Sequence, residues 1–316
     1  MPTAMATVRE ALDAAVDGLT AAGVEDARLD AELLLGEAAG YGRARLAAEP
    51  GAELPAGAAR TFGELVRRRL RREPVAYILG RKGFRHIELA VDRRVLIPRP
   101  ETELLVEVAV ERRPARVLDV GTGSGAIALA VADELPECEV VATDTSPEAL
   151  EVARANAARL GLDQRVTFVE GTLPDQDWLG GEGGDAGAPG EAPAFDLILA
   201  NLPYVPEGDW LGLQPEVRDW EPREALTAGP DGLDSYRTLL PELCGRHFNR
   251  IPVEMATTRA GLAVEVGVGQ AAAVGELMAA AGFGRIEVRR DLAGIDRLVL
   301  GLFDVPEHVQ EDKPDG

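Results

Sequence analysis

The chain has almost no cysteine: Cys138 and Cys244 are the only two in 316 residues, far apart and without a C-x-x-C pair. That excludes a disulfide framework and a cysteine-rich zinc site, so no metal is expected, and both thiols read as core or near-surface residues. Positive charge is also scarce, with 33 Lys and Arg against 54 Asp and Glu, a formal net charge of -21 and a pI near 4.6. Such a field keeps a protein soluble but repels the phosphate backbone of nucleic acid over long range, which makes free RNA or DNA a poor default partner. No window approaches about 18 uncharged apolar residues, and the N-terminus lacks a basic segment followed by an apolar one with a small-residue cleavage site. A cytoplasmic chain without a membrane partner is expected.

What is present is a chain longer than one average domain, 46% hydrophobic, enough to bury one sizeable core and a second small unit. From Val8 to about Ala39 apolar residues recur at helical spacing, interrupted by Gly23 and closed by Gly40; this predicts a small helical bundle. A further helix is expected over about 56–72, where Pro74 stops it or starts a new turn. Its end carries Arg67, Arg68, Arg69, Arg71 and Arg72, the densest positive run, with Arg81, Lys82 and Arg85 nearby. The preferred reading is a solvated helix face whose Arg stems lie over apolar surface. The sharper reading is a docking patch for an acidic surface or for ribosome-associated RNA.

Between Gly83 and Ile97 the period changes, and two short strands joined by a tight turn at Asp92-Arg93-Arg94 are expected. Pro98-Arg99-Pro100-Glu101-Thr102-Glu103 follows, with acidic residues suited to the first turn of the next helix. Residues 1–82 are therefore expected to form a helical substrate-recognition domain, 83–100 a hairpin and proline linker, 101–303 the main domain, and 304–316 a polar tail. In that main domain strands and helices alternate: Arg116–Val120, a helix from Ser124, Glu139–Thr143, a helix over Pro147–Leu160, then Val166–Val169. The order predicts an α/β fold with a parallel, doubly wound, Rossmann-like sheet, closed near the C-terminus by an antiparallel pair at 285–288 and 297–302. The Gly, Asp and Pro-rich stretch 174–194 reads as a mobile surface insertion.

Two motifs carry chemistry. Strand Val117-Leu118-Asp119 runs into Gly121-Thr122-Gly123-Ser124-Gly125, where alternate glycines let the backbone turn tightly and let a ligand approach the main chain. The same device cradles the pyrophosphate of NAD. Asp119 would repel a pyrophosphate but suits a ligand carrying ammonium and sulfonium charge, and Asp144, at the end of the second strand, is placed to accept hydrogen bonds from both ribose hydroxyls. These features favour S-adenosylmethionine. The bland readings are that Asp144 caps a helix, that Tyr204 packs, and that Asn201 makes an Asx turn.

The second motif ends the apolar run Phe195-Asp-Leu-Ile-Leu-Ala200 in Asn201-Leu202-Pro203-Tyr204. Such a run fits an inner strand whose carboxyl end opens into a crevice. An amide or exocyclic amine nitrogen is a poor nucleophile, because its lone pair is delocalised. The side-chain oxygen of Asn201 and the backbone carbonyl of Leu202 can each accept one N–H and aim that pair at a methyl group. Pro203 stiffens the turn, and Tyr204 offers a flat face to a planar amide or base. No catalytic His is required, since nitrogen becomes acidic once alkylated.

These stretches, with Pro74-Val75-Ala76-Tyr77-Ile78-Leu79-Gly80, Leu96-Ile97-Pro98-Arg99-Pro100-Glu101-Thr102-Glu103, Glu221-Pro222-Arg223-Glu224-Ala225-Leu226 and Asp231-Gly232-Leu233-Asp234, resemble the bacterial peptide chain release factor glutamine methyltransferases of HemK type. The resemblance implies a seven-stranded class I methyltransferase sheet and methyl transfer from S-adenosylmethionine to the glutamine of the Gly-Gly-Gln motif of release factors. By resemblance, Gly121 to Gly125, Asp144 and Asn201 hold the cofactor, Asn201 to Tyr204 hold the glutamine, and the N-terminal helices and hairpin recognise the rest of the factor. A ribosomal-protein glutamine methyltransferase shares the turn, and rRNA adenine dimethyltransferases commonly carry Asn-Leu-Pro-Tyr, so adenine N6-methylation of RNA is the alternative chemistry, and a non-catalytic binding module the alternative class. The family usually has proline where Leu202 stands. Gly171-Thr172-Leu173 supplies neither the acidic nor the aromatic residue that often faces the adenine, and 245–259 looks inserted.

Overall fold

The computed structural model describes residues 7–174, 195–246 and 260–303, which form two compact units. The first comprises the N-terminal residues through Arg81 with Val91–Arg93 and Leu213–Glu221; the second comprises Lys82–Ala90, Arg94–Gly212 and Pro222 onward. The expected insertions at 174–194 and 245–259 and the tail at 304–316 lie, apart from Pro174, Gly245 and Arg246, outside the described residues.

The first unit is helical: α1 (Val8–Ala21), α2 (Ala27–Ala39), α3 (Arg43–Ala48), α4 (Ala56–Leu70) and α5 (Val75–Leu79). Thr7 starts α1 with a capping box, its hydroxyl accepting from Glu10 N while the Glu10 carboxylate accepts from Thr7 N, and Gly40 ends α2 in the left-handed conformation. Val8, Leu12, Leu19, Leu34, Leu35 and Phe62 form its core. Helices α3 and α5 are too short for periodicity to reveal; α5 begins directly after Pro74.

The arginine run fits neither expectation. Arg69 is 6% exposed; its Nε donates to Asp30 at 2.7 Å and its other arm to Glu216 at 2.6 Å. Arg72 donates to Glu216 at 2.8 Å and to the carbonyls of Ala22 and Gly23, each at 2.9 Å, and Arg68 pairs with Glu73. Arg69, in the last turn of α4, and Arg72, just past its end at φ +65°, thus point into the unit, and of the five only Arg67 and Arg71 are exposed. Burial raises the Asp30 carboxyl against the opposing pull of Arg69. Glu216 is also desolvated, but Arg72 and Arg69 hold it below the ordinary range.

The second unit opens with the hairpin β1 (Arg81–Phe84) and β2 (Ile87–Ala90). Its turn is at Arg85-His86, not at Asp92–Arg94: Arg85 adopts φ +50°, held by its N–H on Glu103 at 3.1 Å and its guanidinium on Glu134 at 2.7 Å. The hairpin and the proline stretch group with the sheet rather than standing apart as a linker. A 3-10 turn at Pro100–Thr102 leads into α6 (Glu103–Arg112).

Then come β3 (Arg116–Val120), α7 (Ala126–Glu134), β4 (Glu139–Asp144), α8 (Pro147–Leu160), β5 (Val166–Glu170) and β6 (Leu197–Ala200). The turn α9 (Pro215–Arg218) belongs to the helical unit, and α10 (Asp234–Arg246), β7 (Gly261–Glu265), α11 (Ala271–Ala280), β8 (Phe283–Arg290) and β9 (Asp296–Phe303) complete the sheet unit. The seven-stranded order is β5-β4-β3-β6-β7-β9-β8. The first five strands run parallel, while β9 is antiparallel to β7 and β8. After β3 the chain winds outward through β4 and β5 and returns at β6, so the order reverses between β3 and β6. Val117–Val120 pair level with Leu197–Ala200, which brings the carboxyl ends of these two strands side by side at a topological switch point. Leu118, Leu197, Leu199 and Leu262 are fully buried there, each contributing about 1.5–3 kcal/mol.

Candidate active site

Strand β6 is buried along its whole length and paired on both sides, so the chain leaves the sheet at Asn201 with no freedom to slide. The turn that follows is pinned through its backbone. Tyr204 N and Val205 N both donate to the Leu226 carbonyl, at 3.1 and 2.8 Å, and the Tyr204 carbonyl accepts from Gln270 Nε2 at 2.9 Å. The Gln270 amide oxygen in turn accepts from Gly267 N at 2.9 Å. Gly232, at φ +76°, passes so close that a Cβ there would sit 2.2 Å from the Tyr204 carbonyl oxygen.

The side chains of the turn are tied to one buried carboxylate. Asn201 Nδ2 donates to Thr102 Oγ1 at 3.0 Å, Thr102 Oγ1 donates to Glu265 Oε2 at 2.6 Å, and Tyr204 OH donates to Glu265 Oε1 at 3.2 Å. Glu265 is 3% exposed and Thr102 4%. Desolvation raises the Glu265 carboxyl, opposed by the two hydroxyl donors, and burial followed by the Glu265 charge raises the Tyr204 phenol, which keeps it a neutral donor. An Asx turn at Asn201 is not available, because Pro203 has no N–H to offer. Among the described residues neither Asn201 Oδ1 nor the Leu202 carbonyl accepts a hydrogen bond. Leu202 itself is buried in the apolar cluster of this unit, its Cδ2 3.6 Å from where a Cβ on Gly121 would lie.

The glycine loop sits beside the turn. Gly121, Gly123 and Gly125 all have positive φ; a Cβ on Gly125 would meet Leu129 at 2.8 Å, whereas one on Gly123 would meet nothing within 4 Å. Gly125 therefore packs the loop onto α7, and Gly123 turns its open side outward. Gly121 N and Thr122 N donate to the Thr143 carbonyl, and Gly123 N donates to Asp144 Oδ2 at 2.9 Å. Ser146 caps α8 through its own hydroxyl, so Asp144 is not the helix cap. Beneath the loop, Asp119 is completely buried, accepting on Oδ2 from Thr122 Oγ1 at 2.6 Å and Ala128 N at 3.1 Å. Its Oδ1 has no hydrogen-bond partner among the described residues. Burial pushes its carboxyl up to about 7, against the two donors.

Loop and turn border one cleft of about 540 Å³, whose walls include Gly121, Gly123, Asp144, Asn201, Leu202 and Pro203. Four of the expected ligand residues, Asp119, Thr122, Ser124 and Gly125, are not among its walls. Thr122 and Ser124 are buried, the Ser124 carbonyl accepting from Asn156. Tyr204 reaches the site through Glu265 and is half-buried. Arg94, Val95 and Leu96 form a further wall, as do Gly171 and Thr172. Glu265 and Gln270, and the contact of Thr102 with Asn201, escape a reading of the sequence by motif, because these residues sit some 60 to 100 positions from the turn they hold. The available signal was an acidic residue ending the apolar strand Leu262-Ala263-Val264-Glu265.

The PrmC N-terminal domain matches residues 10–80 and a methyltransferase domain matches residues 112–207. The release factor glutamine methyltransferase of Caulobacter vibrioides is 41% identical over 300 residues, covering 94% of this chain and 96% of the relative. That of Moorella thermoacetica is 43% identical over 301 residues, covering 93% of this chain and 98% of its own. The chain belongs to the release factor glutamine methyltransferase family. A third relative, from Geobacter sulfurreducens, is 41% identical over 297 residues, with 93% of this chain and 96% of the relative covered. Family membership makes the protein a methyltransferase, as the motifs around Gly121 and Asn201 imply, and the doubly wound sheet is the expected one with its two C-terminal strands antiparallel. Among the described residues no helix is long and apolar enough to cross a membrane.

Proposed function

We propose that the protein transfers a methyl group from S-adenosylmethionine to the side-chain amide nitrogen of the glutamine in the Gly-Gly-Gln motif of peptide chain release factors. The observation that carries this reading is the pair of open acceptors at the cleft edge, Asn201 Oδ1 and the Leu202 carbonyl. Each takes one N–H of a primary amide, which holds the nitrogen still and turns its lone pair along the one remaining direction. Both oxygens are negative dipoles facing the nitrogen as it becomes positive, so they bind the transition state better than the ground state. Once alkylated, the nitrogen is acidic and gives up its proton without a side-chain base.

The residues present fit the methyl donor. Asp119 keeps a buried unpaired oxygen beneath the loop, an anionic group for an ammonium. Gly123 has open space where a side chain would stand, so a ligand can lie against the main chain. Asp144 lines the cleft with a carboxylate whose donors so far are two backbone N–H groups, leaving lone pairs for ribose hydroxyls. When bound, S-adenosylmethionine supplies a methyl group made electrophilic by its sulfonium charge. Gly121, Gly123, Asp144 and Asn201 hold it from the cleft walls with Asp119 beneath them, and Thr122, Ser124 and Gly125 shape the loop. The helical unit and hairpin serve the recognition of the rest of the release factor.

The test is incubation with radiolabelled S-adenosylmethionine and one of three acceptors: a folded release factor, the same factor with the Gly-Gly-Gln glutamine changed to alanine, or rRNA. Label on the unaltered factor alone is expected. Label on rRNA, or equal label on the alanine variant, overturns the reading.

A further inference from the structure

The chain from Asn201 to Glu265 does more than anchor a turn. An asparagine side chain is nearly symmetric in shape, and rotation by half a turn exchanges its oxygen and nitrogen. Only the orientation with oxygen outward accepts an N–H from a substrate amide; the other presents a donor to a donor. Something must select between them.

The selection is written in donor and acceptor capacity. Thr102 has one hydroxyl proton. With that proton on the 2.6 Å bond to Glu265 Oε2, the hydroxyl oxygen can only accept from Asn201, and only Nδ2 has a proton to give. A carboxylate offers no donor, so the polarity of the relay runs one way, from Asn201 through Thr102 to Glu265. The second carboxylate oxygen takes the Tyr204 hydroxyl, fixing the aromatic ring from the same anchor. Three separate elements meet here: the 3-10 turn Pro100–Thr102, the end of β6 and the end of β7. Burying a carboxylate costs hydration, and among the described residues Glu265 makes no salt bridge, the Arg297 charge opposing that cost only in part. An apolar residue would fill the space more cheaply. We propose that Glu265 is a positioning residue that, acting through the Thr102 hydroxyl, locks the Asn201 amide with its oxygen toward the substrate nitrogen.

This deepens the proposed function and rests on it for the identity of the acceptor amide. The replacement Glu265→Gln keeps the shape but adds a donor, which lets Thr102 turn its proton to Asn201 and releases the amide to flip. In the full chain, Glu265→Gln is expected to lower kcat on the release factor about 100-fold, the loss typical of one misdirected transition-state hydrogen bond. KM for the release factor should stay within about threefold, so that the loss falls on kcat. Thr102→Val should behave alike and Thr102→Ser should recover most of the rate, since serine keeps the hydroxyl and loses only a methyl.

A readout independent of turnover comes from NMR. The chain has only three asparagines, Asn156, Asn201 and Asn249, so selective 15N-asparagine labelling resolves the Asn201 side-chain amide. One of its protons should be shifted and slow to exchange in the wild type and in Thr102→Ser, and fast in Thr102→Val and Glu265→Gln. Wild-type kcat in a folded Glu265→Gln, or equal loss in Thr102→Ser and Thr102→Val, overturns the proposal; if Glu265→Gln does not fold, the threonine pair decides. A wild type that leaves the release factor unlabelled while keeping the protected Asn201 proton would sink the proposed substrate and leave the lock standing.

Discussion

At Asn201 and Leu202 the side chain and the main chain carry separate duties, and substitution separates them. Asn201→Ala removes one of the two acceptors, and kcat should fall about 10²- to 10³-fold, as for loss of one transition-state hydrogen-bonding group, with the melting temperature nearly unchanged. Leu202→Ala keeps the backbone carbonyl but strips the packing against the glycine loop. It should cost about 2 kcal/mol or more in stability, seen by urea unfolding, while kcat stays within a few-fold of wild type. A large kcat loss in Leu202→Ala would show that the side chain that replaces the family's proline, and not the carbonyl, governs the turn.

Asp119 makes both stability and ligand binding depend on pH. With the folded-state carboxyl raised to about 7 above an unfolded value near 3.9, the folded chain holds this proton more tightly than the unfolded one. The resulting stability is complete below about pH 4 and is lost as pH rises to about 7. Binding of a cation favours the ionised form instead. If only ionised Asp119 receives the ammonium, the affinity for S-adenosylmethionine should fall about fivefold from pH 7 to pH 6, in proportion to the ionised fraction. Calorimetric titration at the two pH values checks this, and Asp119→Asn should bind weakly with no such slope.

Among the elements, α4 shows why a charge run misleads. Five arginines in a row of six positions read as a solvated face, but α4 turns Arg69 inward to Asp30 and Glu216, and Arg72, beyond the helix end in a left-handed conformation, meets Glu216 as well. Neither partner is close in sequence, so no local pattern announces them. Arg69→Met should leave Asp30 an uncompensated buried carboxylate, with Glu216 still held by Arg72, and destabilise the chain by about 3–5 kcal/mol, measured by denaturant unfolding; a change under about 1 kcal/mol would mean that the cluster contributes only packing.

The same contrast explains what the sequence disclosed elsewhere. Strand β6, the glycine loop and helices α7 and α8 were legible because their signals are local: an apolar run, alternate glycines, the Ser146-Pro147 start of a helix. The hairpin was placed too late because its real turn uses Arg85, a residue with no turn preference, kept in a left-handed conformation by Glu103 and Glu134 from other helices. Glu265 and Thr102 were invisible as partners of Asn201 because only the parallel pairing of β6 with β7 and the turn before α6 bring them together.

For the whole molecule, sheet topology and net charge act at different ranges. The reversal between β3 and β6 decides where the cleft lies, since it is the one place where two parallel strand ends diverge and leave room for a ligand. The charge decides what arrives there. A chain of net -21, in whose densest arginine run three of five members are paired with carboxylates, has little left to neutralise phosphates, and each missing phosphate contact removes about one counterion's worth of salt-dependent affinity. An exposed polybasic face would have offset the net field locally; Arg69 and Arg72 facing inward removes that route. Total rRNA in excess should therefore leave the initial rate of release factor methylation unchanged within about twofold, even near 0.05 M salt, where the Debye length exceeds about 10 Å and attraction would be strongest. Inhibition by rRNA that fades as salt is raised would mean that a basic surface exists and that RNA competes for it.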